Sequence, residues 1–400
     1  MKKRLNVVVA GAVVVALAGG VAGPASAHRD SEFGRATLTG FASLPALTFV
    51  PASEPSGHQL DTAPVNGVAA PWADQPVQGF SGIVRNGDGT FEVMSDNGFG
   101  TKANSADFVL RIHSIAPVFR DGRVDVIGGI NLTDPDGHVA WPLTRSDRVL
   151  TGADFDIESI QRAPDGTYWI GDEFGPFLLH FDRTGRLLRA PIPLPGVFAP
   201  ENPLRGTTPN NLASSKGFEG MAQSPDGRTL YPLLEGTVAG DAPGTLRMYE
   251  FDRKAEKYTG RTYAYKMDAP ANAIGDAIAV DGHRFLIIER DNNQGDAATV
   301  KKIYLVTRAD RDRDGAMDKT LVADLLDIAN PKRLGGFGTT FRFPFTTIED
   351  VVILDNRTIG VLNDNNFPGS AGRTPGVPDN NEFITLRLTR SLDADPRLLG

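Results

Sequence analysis

Residues 156–175 read DIESIQRAPDGTYWIGDEFG. Two short runs of β-formers flank Asp165-Gly166, the commonest sequence signature of a tight β-hairpin. An acid, Glu158, lies at the start of the first run, and two acids, Asp172 and Glu173, close the second. The start of one hairpin strand and the end of the other lie side by side, so these acids are expected at one end of the unit.

The pattern recurs as FSGIVRNGDGTFEVMSDNGFG from Phe80, FEGMAQSPDGRTLYPLLEG from Phe218, GDAIAVDGHRFLIIERDN from Gly275 and IEDVVILDNRTIGVLNDN from Ile348. Further β-like segments follow each hairpin: 108–115 and 123–129, then 178–182, then 246–251 and 262–267, then 302–307, and finally 382–388. Repeated units of up to four strands predict an all-β chain, a β-propeller with five acid-bearing repeat units and five or six blades. The sixth blade stays open because residues 45–79 and 183–215 are long, Pro-rich and hard to assign. The fifth unit runs out of chain one strand short, and RATLTGFASL, Arg35 to Leu44, is the candidate that closes the ring. The expected organisation is a signal peptide at 1–27, an N-terminal segment with the closing strand at 28–74, the propeller at 75–390 and a tail at 391–400.

Lys2, Lys3 and Arg4, an apolar run from Leu5 to Gly23 and the small residues Ala25-Ser26-Ala27 have the form of a secretory signal, so export and a mature start near His28 are expected. No later segment resembles a membrane span. Cysteine is absent, which excludes disulfides, thiolate nucleophiles and zinc-thiolate sites. A net charge of −8 argues against nucleic acid or an anionic membrane as the main partner. There is no G-x-S-x-G elbow, H-E-x-x-H, P-loop or dinucleotide fingerprint. A monomer acting on a small molecule is expected.

Aligned on their turns and second-strand aromatics, the units place Ser81, Glu158, Glu219, Asp276 and Glu349 at one position. Ser95, Asp172, Glu235, Glu289 and Asn363 fall at a second, followed by Asp96, Glu173, Gly236, Arg290 and Asp364. The innermost strands of a propeller line its channel, so these side chains are expected to meet at one mouth. Clustered carboxylates repel unless protonated, paired with bases or bound to a cation. An all-oxygen set selects a hard ion, Ca2+ before Mg2+ or Mn2+. Acids at strand ends also cap turns, which is the competing reading. Separately, Asp310, Asp312, Asp314 and Asp318 stand at positions 1, 3, 5 and 9 of a calcium-loop spacing with Gly315 at 6, while Leu321 at 12 departs from an EF-hand. A structural calcium loop is expected there.

The segments GFEGMAQSPDGRTLY, DIESIQRAPDGTYWIGDEFGP, IIERDN and VLNDNNFPG resemble the phytase-like family, described as having esterase-like activity of phytase. The resemblance covers roughly residues 75–390. It implies a secreted bacterial protein and points at Glu158, Asp172, Glu173, Glu219, Glu289, Asp291, Glu349 and Asp364, with Ser81 departing from the acid pattern. The expected activity is calcium-dependent hydrolysis of a phosphoester, with Asp172 or Glu173 as general base and Lys216 and Arg290 neutralising phosphate charge. The rivals are a non-catalytic, metal-stabilised propeller that binds a glycan or protein, and a metal-dependent lactonase or esterase.

Overall fold

Each hairpin of the sequence grows into a four-stranded antiparallel meander. The computed structural model describes residues 33–399; the expected signal segment 1–27 lies outside them. The first unit is Phe80–Arg85, Phe91–Ser95, Arg111–Val118 and Arg123–Asn131. The second is Ile157–Arg162, Tyr168–Asp172, Phe177–Phe181 and the short Ile192–Pro193. The third is Phe218–Gln223, Thr229–Leu234, Thr245–Asp252 and Lys257–Lys266. The fourth is Ala273–Ala279, Arg284–Arg290, Lys301–Thr307 and Asp318–Asp324. The fifth supplies Asp350–Asp355, Thr358–Leu362 and Asn381–Arg387.

The fourth strand of the fifth unit comes from the other end of the chain. Thr37–Leu44, within the segment expected to close the ring, runs antiparallel to Asn381–Arg387 from Thr37 opposite Arg387 to Leu44 opposite Asn381. A single parallel bridge from Ser43 to Arg123 joins it to the first unit, so the first and fifth units share one ten-stranded sheet.

First strands of neighbouring units touch in a closed cycle, the first to the second, onward to the fifth, and back to the first. Five apolar cores lie between the sheets and repeat that cycle. Ile112 and Phe177 meet between the first and second units, and Trp169 and Phe218 between the second and third. Met248 and Phe285 join the third to the fourth, Ile303 and Val351 the fourth to the fifth, and Phe383 and Phe80 the fifth to the first. This is an all-β, propeller-like fold. The inner part of each sheet is buried on both faces, which is why second strands such as Tyr168–Asp172 are buried along their whole length, while outer strands such as Lys257–Lys266 are largely exposed.

One departure from the sequence reading has a simple cause. Asp318–Asp324 is a strand, with Asp318 opposite Thr307, so Asp318 belongs to the ladder and not to a loop. Segment 45–79 carries only isolated bridges, and 183–215 adds the strand Ile192–Pro193, so neither forms a sheet of its own. Among the described residues helix is limited to three short 3-10 turns, and no helix is long and apolar enough to cross a membrane.

Candidate metal centre at the channel mouth

A β-bulge in the inner strand sets the site. In the second unit Ile157 pairs with Asp172 and Ser159 with Gly171, leaving Glu158 as the extra residue. The third and fourth units repeat this, skipping Glu219 between Phe218 and Gly220, and Gly275 between Ile274 and Asp276. A bulged residue is unpaired and its side chain is re-aimed, here towards the channel. The bulge holds Ser81, Glu158, Glu219 and Gly275 in the first four units, and Glu349, directly before the strand Asp350–Asp355, stands at the equivalent place in the fifth. The residue after the cross-strand partner of the pre-bulge residue is Asp96, Glu173, Glu235 or Arg290 in those four units, and Asp364, two residues past Thr358–Leu362, stands for it in the fifth.

This register corrects two expectations by one residue each. Glu235 follows Leu234, the partner of Phe218, and so matches Glu173 and not Asp172. The cause is a longer third hairpin loop: Gln223 pairs with Leu230, whereas Arg162 pairs with Tyr168. Asp276 pairs with Ile288 and matches Ser159, leaving Gly275 in the acid column. Because strand side chains alternate in direction, a slip of one residue turns a side chain away from the channel. Asp276 instead accepts hydrogen bonds from Ala277 N at 2.7 Å and from Val351 N, on the neighbouring inner strand, at 3.0 Å.

Three more expected ligands lie outside the cluster for the same reason. Asp172 is wholly buried and its two oxygens accept from Asp156 N at 2.9 Å and Gly175 N at 2.7 Å, so it orients the loop and not a substrate. Glu289 is saturated by Tyr265 Oη, Asp268 N, Asn272 Nδ2 and Lys319 Nζ, each at 2.6–2.7 Å. Asp291 accepts from Thr299 N at 2.7 Å and pairs with Lys301 at 3.1 Å.

The acids that do converge form two groups. Asp156, Glu158 and Glu173 each offer an oxygen within 4.8 Å of the others, and so do Glu173, Glu219 and Glu235. Glu173 belongs to both. Asp156 escaped the sequence reading, although its spacing of two from Glu158 was the available signal. Asp156 Oδ1, Glu173 Oε1 and Glu219 Oε1 are buried and accept no hydrogen bond. Glu219 Oε1 has Arg290 at 3.5 Å, but burial of an ionised carboxylate without a partner is costly, so the oxygens of Asp156 and Glu173 fit a hard divalent cation.

Glu349 accepts from Ser81 Oγ at 2.8 Å. Asp364 is held by Thr347 Oγ1 at 2.9 Å and by Asn366 N at 2.6 Å. Asp96 accepts from Gly98 N at 2.8 Å and Gln78 Nε2 at 3.3 Å. The cations of the mouth are committed to acids: Lys216 Nζ pairs with Glu235, and Arg290 Nη2 lies 3.1 Å from Glu349, 3.4 Å from Glu235 and 3.5 Å from Glu219.

Burial, reinforced by neighbouring carboxylates, pushes Glu158, Glu173 and Glu219 well above the usual carboxylate range. Glu349 is pushed up to about 8 by burial and then by Asp364, against the pull of Arg290. Burial works to lower Arg290, but Glu349, Glu235 and Glu219 outweigh it and keep the guanidinium charged.

The expected calcium loop is separate and exposed. Asp310, Asp312 and Asp314 offer oxygens within 4.8 Å of one another, while Asp318 stays apart with its carboxylate towards Arg311.

Fold and site together define a propeller-like protein whose channel mouth carries a carboxylate cluster able to hold a divalent cation. A family model described as "Phytase-like: Esterase-like activity of phytase" matches residues 75–367, and the chain belongs to that family. An uncharacterized secreted protein of Arthroderma benhamiae is 25% identical, over 64% of this chain and 65% of its own length, just under two thirds. Among solved structures, a luciferin-regenerating enzyme is similar at 9% identity, covering 87% of this chain and 92% of that one with a TM-score of 0.39. A virginiamycin B lyase of Staphylococcus aureus is similar at 12% identity, covering 80% and 70% with a TM-score of 0.34.

Proposed function

We propose that the protein is an exported, monomeric, five-bladed propeller hydrolase that needs a divalent cation, calcium first, and cleaves a carboxylic ester or lactone at the channel mouth. The carrying observation is the pair of buried oxygens of Asp156 and Glu173 that accept no hydrogen bond beside Glu158. Bound there, the cation would polarise an ester carbonyl and acidify a water. Asp156, Glu158 and Glu173 would hold it. Asp172 fixes Asp156 through its backbone N–H, and Ser215 Oγ, at 2.9 Å, fixes its Oδ2. Glu158, in the bulge, is the acid we assign to accept the proton of the attacking water.

A neutral carbonyl substrate is preferred over a phosphate because Lys216 and Arg290 are already paired with ring carboxylates. A phosphate dianion would enter a cluster whose acids outnumber its cations, at an electrostatic cost. Phosphoester hydrolysis remains the second reading, favoured by the side chain of Lys216, which is 41% exposed at the mouth. The segment at residues 1–27 and the description of the fungal relative as secreted support export. The loop Asp310–Asp314 is, in this reading, a separate and weaker cation site.

The test is hydrolysis of p-nitrophenyl butyrate, a series of γ- and δ-lactones and p-nitrophenyl phosphate, with calcium and with chelator, on wild type, Glu158→Gln and Glu173→Gln. Ester or lactone turnover that needs calcium and drops at least about a hundredfold in both variants is expected. Phosphate turnover alone would move the assignment to the second reading. Turnover untouched by chelator and by both substitutions would overturn the metal centre.

A further inference from the structure

The fourth unit breaks the acid pattern at both of its channel positions, and the breaks fit together. At the bulge it has Gly275, where a Cβ would sit 1.9 Å from the carbonyl oxygen of Ile348, so no side chain is accommodated. At the end of its second strand it has Arg290 where the other units have Asp96, Glu173, Glu235 and Asp364. The guanidinium is 5% exposed and lies 3.1–3.5 Å from three carboxylates contributed by the third and fifth units.

Two of those carboxylates, Glu219 and Glu235, belong to the second group of potential ligands. The first group has no such partner: no lysine or arginine pairs with Asp156, Glu158 or Glu173 within ion-pair distance among the described residues, and two of its oxygens accept no hydrogen bond. A second ion bound by Glu219 and Glu235 would share Glu173 with the first and meet the guanidinium at near contact. At such a separation, and screened by little water, the repulsion is strong. A planar fork reaches several carboxylates at once, which a lysine ammonium does less well.

We infer that Arg290 is a built-in cation occupying the second carboxylate group, so that the channel takes one divalent ion, on Asp156, Glu158 and Glu173. This rests on the proposed metal centre and adds its stoichiometry and the residue that sets it. Arg290 is thus a specificity-determining residue, and Lys216, at the rim of the same group, supports it without replacing it.

The test is calcium stoichiometry by equilibrium dialysis and elemental analysis, with Asp312→Asn and Asp314→Asn in every protein to silence the exposed loop. One ion per chain is expected with Arg290 in place, and two with Arg290→Gln. Lys216→Met is expected to keep one ion. Arg290→Lys, which retains the charge, guards against misfolding of the glutamine variant and is expected to admit the second ion with weaker affinity. Two ions in the Arg290 protein, one ion in a folded Arg290→Gln or Arg290→Lys, or two in Lys216→Met would overturn the inference while leaving the metal centre standing. No ion with Arg290 in place would instead overturn the metal centre and this inference with it.

Discussion

The backbone N–H of Asp156 donates to Oδ1 of Asp172 at 2.9 Å, so the end of one strand holds in place the acid that precedes its neighbour. The second oxygen of Asp172 does the same for Gly175 at 2.7 Å. Asp172→Ala leaves both N–H groups buried and unpartnered, a cost of about 3 kcal/mol. Chemical denaturation should register that loss, and calcium affinity should fall because Asp156 is no longer held. A change within about 0.5 kcal/mol, the range of ordinary surface substitutions, would refute the positioning role.

Stability without metal should fall as pH rises. Burial lifts Glu349 from 4.5 to about 8 and Asp364 from 3.8 to about 6, so the folded chain holds protons that the unfolded chain releases. Their contribution is complete below about pH 4 and is lost as pH climbs through the folded values. In chelator the melting temperature should therefore drop between pH 5 and pH 8. Asp172 and Asp276, each raised to about 7 by burial away from the channel, add to the drop. A melting temperature that rises with pH in chelator would contradict this account.

Calcium affinity should itself increase from pH 6 to pH 8, because the ligands must lose protons to bind. Isothermal titration across that range, with proton release read from buffers of different ionisation heat, checks it. Binding that is indifferent to pH would place the ion outside the channel cluster.

Gly275→Ala tests the gap opposite Arg290. The new methyl would overlap the Ile348 carbonyl, and separating the fourth and fifth inner strands to admit it should cost about 3 kcal/mol. Gly87→Ala, in a turn where a Cβ meets nothing within 4 Å, serves as the control and should be near neutral. Equal stability of the two variants would show that the inner strands are not in close contact.

Removal of the chain up to Leu44 should open the ring. The edge of Asn381–Arg387 would lose its partner strand, and Ala42 and Leu44 would leave the core between the fifth and first units. An unpaired buried edge invites association, so the shortened protein should aggregate or lose its cooperative transition by calorimetry. A monomeric, cooperatively folded product would argue against closure by this strand.

Much of the architecture is legible in the chain because hairpins are local. Asp-Gly turns between runs of β-formers mark the first two strands of each unit, and Thr37–Leu44 reads as a strand even though its partner lies more than three hundred residues away. Asp318–Asp324 was hidden because its acids imitate a cation loop. The acids of the channel were found by their recurrence, but their register was not, since one extra residue in the third hairpin loop and the slip at Asp276 exchange channel side for sheet side.

What the sequence by itself determined is that acids recur at the ends of hairpin strands in an all-β chain without cysteine, since turn chemistry and strand pattern depend on neighbours along the chain. The tertiary structure decided which acids meet. The bulge aims Glu158 and Glu219 at the channel, where Glu349 joins them beside Arg290, while Asp172, Glu289 and Asp291 are drawn into backbone and side-chain bonds elsewhere. It also decided that Arg290, an outlier in the repeat, lies against three carboxylates of other units. Such relations depend on the packing of the repeated units against one another, where a side chain's partners come from units far apart in the chain, and no local pattern encodes that distance.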